Sequence, residues 1–169
     1  VSRVDTNDGA PDDRERCYLA AMRILNYRFN SEAELRRKLR SKKFADDDVD
    51  ATLERLRREK WLDDERFAGA LVRTRARKRV GPRRIARELN AAGVDNDTAS
   101  RVMAENSDPE QERAAAKSLC EKRLRVLLRR HGEIDAEVRN KLTGWLLNQG
   151  YDSALVRDVV KETVLAHHQ

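Results

Sequence analysis

Apolar residues recur along the chain at three- and four-residue steps, the spacing that puts side chains on one face of an α-helix. Phe67, Ala68, Leu71, Val72, Ala76 and Val80 make one such face. Asp63-Asp64-Glu65 precede it, carboxylates that cap free amides and meet the positive end of the helix dipole. Gly81 is expected to end this helix and Pro82 to open the next. That second helix buries Ile85, Ala86 and Leu89 and stops at Gly93, and a third, starting near Asn96, offers Ala99 and Met103.

The pattern occurs three times. Apolar residues stand four positions before Leu89 (Ile85) and five, ten and fourteen after it (Val94, Ala99, Met103). Leu39 has Leu35, Phe44, Val49 and Leu53 at the same offsets, and Leu146 has Leu142, Tyr151, Val156 and Val160. All fifteen positions are apolar in a chain that is 39% hydrophobic, where chance would supply about six. Each copy also has a helix upstream. Tyr18, Met22, Leu25 and Phe29 share a face before the first copy, and Ser31-x-x-Glu34 then reads as a capping box. Before the third, Asp108-Pro109-x-Gln111 opens a long helix burying Ala116, Cys120, Leu124, Leu127 and Leu128.

The predicted fold is therefore all-α. It comprises three tandem three-helix repeats over residues 15–61, 62–107 and 108–166, after a flexible acidic tail over residues 1–14. A module this small has a marginal core alone, so neighbours must dock, and an elongated, curved, monomeric array is expected.

Composition agrees: 39% of residues are charged and 5% aromatic, with seven glycines and three prolines, too few strand and turn formers for a sheet. The formal net charge of +6 makes an anionic partner reasonable. The charge concentrates in Arg73–Leu89, which holds eight Lys or Arg and one acid. Arg66, Arg73 and Arg77 fall away from Phe67 and Leu71, and Arg83 and Arg87 away from Ile85 and Leu89; Lys78 and Arg84 extend the set. In the first repeat Arg36, Arg37, Arg40 and Lys43 do likewise. Solvated helix faces are the plain reading of such residues. The excess, however, is more than i,i+4 pairing can use, and an acidic protein surface or a nucleic-acid backbone would supply the missing charge.

Other chemistries find little support. Trp61 and Trp145 end apolar patterns and are expected in the core, which disfavours base stacking. Cys17 and Cys120 read as buried small hydrophobes of a protein in a reducing cytoplasm. No apolar run reaches membrane-span length and no segment reads as a secretory h-region. His131 marks a helix end, and His167 and His168 a frayed tail. No HExxH motif, paired-cysteine metal spacing or nucleophile set near a histidine is present, and Asp46-Asp47-Asp48, like Asp63-Asp64-Glu65, is expected to cap a helix. Neither a catalytic activity nor a metal or cofactor is expected.

Asp63-Asp64-Glu65-Arg66-Phe67-Ala68, followed by Gly81-x-x-Arg84-Ile85-x-x-Glu88-Leu89-x-x-x-Gly93-Val94, resembles the motif pair of the RecX family of bacterial recombination regulators. Glu34-Leu35-x-x-Lys38-Leu39-x-x-x-x-Phe44 resembles that family's first-repeat motif, with Lys43 where a glycine is common. The likeness covers about residues 16–165. It implies a non-enzymatic, cytoplasmic, three-repeat helical protein that binds the RecA recombinase filament on single-stranded DNA. Such a protein curbs ATP hydrolysis, strand exchange and coprotease activity, and weak direct DNA contact is a further expectation. The alternative is a helical protein acting directly on DNA. The third helices, however, begin Asp47-Asp48-Val49, Asn96-Asp97-Thr98 and Ser153-Ala154-Leu155, acidic or neutral starts that phosphate would not favour.

Overall fold

The computed structural model describes residues 12–167. Nine helices and no strands occur among them: α1 (Asp13–Tyr27), α2 (Glu32–Ser41), α3 (Asp46–Arg58), α4 (Asp64–Arg77), α5 (Pro82–Ala91), α6 (Asn96–Glu105), α7 (Pro109–His131), α8 (Ala136–Gln149) and α9 (Ser153–His167). The all-α architecture of successive three-helix groups is the one the repeated spacing predicts. Asp13 and Arg14, assigned above to the tail, belong to α1, because Asp13 and Glu15 stand in its first turn and favour the helix start; residues 1–11 lie outside the described residues. His167, expected in a frayed tail, closes α9; His168 is likewise outside the described residues.

The chain forms two compact units. The first holds the described residues of Val1–Phe67 together with Ala92–Val94. Its core joins Cys17, Ala21, Leu35, Leu39, Val49, Leu53, Leu56 and Leu62 from α1, α2, α3 and the turn after α3. The second holds Ala68–Ala91 and the described residues of Asp95–Gln169. Its main cluster joins α7, α8 and α9 through Ala116, Cys120, Leu124, Leu142, Leu146, Tyr151 and Val156, among others. Of the fifteen repeat-defining positions, Phe44, Ala99 and Met103 are half-buried and the other twelve are buried.

Local signals set the helix starts. Ser31 accepts from the Glu34 amide at 3.1 Å, Asp63 from Arg66 at 2.9 Å, Asp95 from Thr98 at 2.9 Å and Asp108 from Gln111 at 2.9 Å. α3 differs from expectation. Its cap position is Ala45, without a side-chain bond, and Asp46, Asp47 and Asp48 occupy the first turn, where they meet the dipole, Asp46 pairing with Arg40 and Asp48 with Arg14.

Several side chains expected in the core lie outside it. Trp61 is 52% exposed and Phe29 54% exposed. Trp61 follows Lys60, whose left-handed φ of 61° turns the chain off the end of α3. Phe29 stands beyond the end of α1, and its ring lies 5.0 Å from the Arg66 guanidinium. Ala86 is exposed on α5, while Leu71 and Leu128 are half-buried.

Gly81 does not end α4. Arg79 takes the left-handed conformation there, with φ 58°. Its amide donates to Ala76 at 2.8 Å, and that of Val80 to Arg75 at 3.0 Å, a Schellman closure with a non-glycine residue at its turn. Gly81 instead lies against another turn. A Cβ there would come within 2.3 Å of the Gly150 carbonyl carbon. The Gly81 amide donates to Gln149 at 2.8 Å and that of Arg83 to Gly150 at 3.0 Å.

The first unit contains a joint at matching positions. Ser31 stands eight residues before Leu39, as Gly81 does before Leu89, and its hydroxyl donates to the Ala92 carbonyl. Ala92 stands three residues after Leu89, as Gln149 does after Leu146. Gly93 and Gly150, one residue later, both have positive φ, and a Cβ on either would collide with the opposing turn: Ala33 at 2.4 Å for Gly93, Arg84 at 2.5 Å for Gly150. Lys43 is the third member of this set. It keeps the positive φ, 66°, but is exposed, so a side chain fits.

Candidate functional site

The expected cationic residues fall into three groups. Arg36 and Arg40 are engaged within the first unit: Arg36 pairs with Asp50 and, at 3.6 Å, with Glu32, while Arg40 Nε lies 2.8 Å from Asp46. Arg37 is exposed and Lys43 sits on the exposed α2–α3 turn. In the second unit Arg83 pairs with Asp152, and Arg84 Nε lies 3.5 Å from Glu88. The Asp152 carboxyl is held below the ordinary carboxylate range, first by the Ala154 amide and further by Arg83. The third group, Arg73, Arg77, Lys78 and Arg87, forms no ion pair among the described residues and is exposed. Arg77 Nε donates to its own helix at the Arg73 carbonyl, 3.3 Å away.

Of the cations expected on solvent-facing helix positions, Arg36, Arg40, Arg83 and Arg84 are thus engaged in ion pairs. Asp46, Asp50 and Asp152 lie on other elements, beyond an i,i+4 inspection, whereas Glu32 and Glu88 are i,i+4 partners of Arg36 and Arg84. Arg75 was missed for the complementary reason. It lies in the basic run yet turns toward α5, where its Nε donates to Glu88. Glu88 thereby receives Arg75 from α4 and Arg84 from α5.

Most other motif residues are also structural. Phe67, Ile85 and Leu89 are buried. Asp64 accepts from the Glu32 amide at 2.8 Å, capping α2 from a distant part of the chain. These contacts account for the motif as a device for closing helix ends and joining turns.

A groove between the second and third helices of each repeat shows what the cations can reach. In the first repeat, Arg36 and Arg40 face Asp50 and Asp46, and their ion pairs span it. The equivalent positions of the second are Ala86, Asn90, Asn96 and Ser100, which form no such pairs, and an open groove of about 650 Å³ results. Arg83 and Arg87 line it beside Ala86, Ala99 and Met103. The arrangement offers charge, small apolar contacts and amide groups to a macromolecular surface. Among the described residues, no three His, Cys, Asp or Glu side chains gather as a metal site, and no helix is long and apolar enough to cross a membrane.

Comparison with known proteins agrees with the all-α architecture. Residues 17–56 match the first three-helix domain of RecX and residues 63–103 the second. The regulatory protein RecX of Xanthomonas oryzae pv. oryzae is 36% identical over 140 residues, covering 81% of this chain and 82% of that protein. The regulatory protein RecX of Trichlorobacter lovleyi is 32% identical, covering 93% and 99% respectively. The crystal structure of RecX from Lactobacillus salivarius superposes with a TM-score of 0.77 at 25% identity, covering 91% of this chain and 98% of that one. The chain belongs to the RecX family of regulatory proteins.

Proposed function

We propose that the protein binds the RecA filament on single-stranded DNA and restrains its ATP hydrolysis, strand exchange and coprotease activity. Family membership supports RecA as the partner. The observation that carries the site is the set of exposed cations Arg73, Arg77, Lys78 and Arg87, which form no ion pair among the described residues. Arg87 stands on the open α5–α6 groove together with Arg83. Cations left without carboxylates are free to meet an acidic protein surface or phosphate, and neither contact requires an existing ion pair to break. Arg36 and Arg40 are already committed to Asp50 and Asp46 and contribute less. The reading is of a non-enzymatic cytoplasmic modulator, active as a monomer.

Replacing Arg73, Arg77, Lys78 and Arg87 together by Ala is expected to preserve helix content, since Ala is the best helix former and the positions are exposed. Suppression of RecA ATP hydrolysis on single-stranded DNA is expected to require a much higher protein concentration, with the difference shrinking as salt rises. Binding to bare single strands separates the partners. If phosphate is the contact, each lost cation flattens the log–log salt slope by about 0.7. If acidic protein is the contact, the bare-DNA slope stays unchanged while filament binding falls. A normally folded variant that suppresses RecA at parental concentrations would remove these cations from the site.

A further inference from the structure

The equivalent groove of the third repeat, between α8 and α9, differs from the other two in both charge and floor. Arg139, Thr143 and Leu147 follow one another at four-residue steps on α8, as do Arg157, Lys161 and Leu165 on α9, and both series line it. The groove has an open volume of about 480 Å³. Leu147 is 38% exposed and Leu165 55% exposed. Arg139, Arg157 and Lys161 are exposed and form no ion pair among the described residues. Among the described residues, no carboxylate lines the groove. Glu162, the neighbour of Lys161, is held by Arg113.

We propose that this groove is a docking site for an acidic amphipathic segment of a partner protein. Arg157 and Lys161 are like charges at i,i+4, an arrangement that costs helix stability when nothing neutralises it. Together with Arg139 they surround aliphatic side chains left partly in water. A partner that brings both carboxylates and aliphatic groups satisfies the two features at once. Nucleic acid would satisfy only the charge, because the floor is aliphatic and offers no ring on which a base could stack. Eight residues separate Arg139 from Leu147 and Arg157 from Leu165, about two helical turns, so a segment of two to three turns fills the groove.

The full chain, labelled with nitrogen-15, is titrated with a synthetic helical peptide carrying Leu at every third or fourth position and Glu elsewhere. Controls are the same peptide with Lys for Glu, and a single-stranded oligothymidylate. Saturable amide shifts concentrated on α8 and α9, absent with the Lys peptide, are expected. Leu165→Glu, at an exposed position that leaves the fold intact, is expected to weaken binding about tenfold or more by opposing both the charge and the apolar contact. The triple variant Arg139→Ala/Arg157→Ala/Lys161→Ala is expected to do the same at low salt. Absence of saturable shifts, shifts centred elsewhere, or undiminished affinity in Leu165→Glu would overturn the proposal, as would oligothymidylate moving the same amides as strongly. The peptide is read on the free chain, so this result stands or falls independently of RecA binding.

Discussion

Tyr151 carries more of the second unit than its aromatic surface alone. Its ring is 1% exposed, and its hydroxyl donates to the Arg79 carbonyl at 2.8 Å, at the left-handed residue that closes α4. Burial, followed by the nearby Glu112 carboxylate, pushes the phenol up to about 12 despite the opposing Arg79 charge. The folded state therefore retains this proton after the unfolded chain has lost it. The associated stability is fully present below about pH 10 and lost as pH rises toward 12, at about 1.4 kcal/mol per pH unit. Denaturant unfolding between pH 8 and 11 is expected to show this decline in the parent. Tyr151→Phe should lack that component and be about 1 kcal/mol less stable at neutral pH. Ser31 shows the same economy of placement. One hydroxyl accepts from Glu34 and donates to Ala92, a dual role open to Ser or Thr but closed to an ionised Asp.

At the scale of elements, the turns between helices distinguish the repeats. Lys43, Gly93 and Gly150 occupy one repeat position with positive φ; a Cβ on either glycine would collide with an opposing turn, whereas Lys43 is exposed and carries its side chain. Lys43→Gly should therefore stabilise the chain by about 1 kcal/mol, through relief of left-handed strain alone. Gly150→Ala should destabilise it by about 3 kcal/mol or more. The new Cβ would meet the Arg84 backbone nitrogen at 2.5 Å and force apart the turns joined by Gly81 and Arg83. Denaturant midpoints of the two variants, measured beside the parent, check the opposite signs. At this repeat position, glycine stands where another turn is close.

For the whole molecule, the consequence is that repeats depend on one another. The second unit includes most of the second repeat together with the third, and the α8–α9 turn supplies hydrogen-bond acceptors to Gly81 and Arg83. A chain ending at Asn106 loses those bonds and the Tyr151 side chain, which donates to the Arg79 carbonyl and lines one cavity with Val80 and Ile85. It is expected to unfold with a stability lower by about 3–5 kcal/mol, with a shallower denaturant slope because less surface is buried. A truncated chain as stable as the parent would show the repeats to be energetically independent. The surface follows the same division. The grooves of one scaffold are crossed by ion pairs in the first repeat, open beside Arg83 and Arg87 in the second, and open with an aliphatic floor in the third.

The sequence by itself determined the helices, their order and their threefold recurrence, because a helix face needs only residues three and four apart. It determined the caps at Ser31, Asp63 and Asp108 for the same reason: the acceptor and its amide are neighbours in the chain. Family resemblance was legible in the motif spacing around Phe67 and Leu89. Tertiary structure alone decided what those residues do. Asp64 caps a helix thirty-two residues earlier in the chain. Gly81 admits the backbone of Gly150, and Arg83 finds Asp152 sixty-nine positions away. Which arginines remain free also depended on these distant partners, since an ion pair forms wherever folding brings opposite charges together, regardless of their separation in the chain.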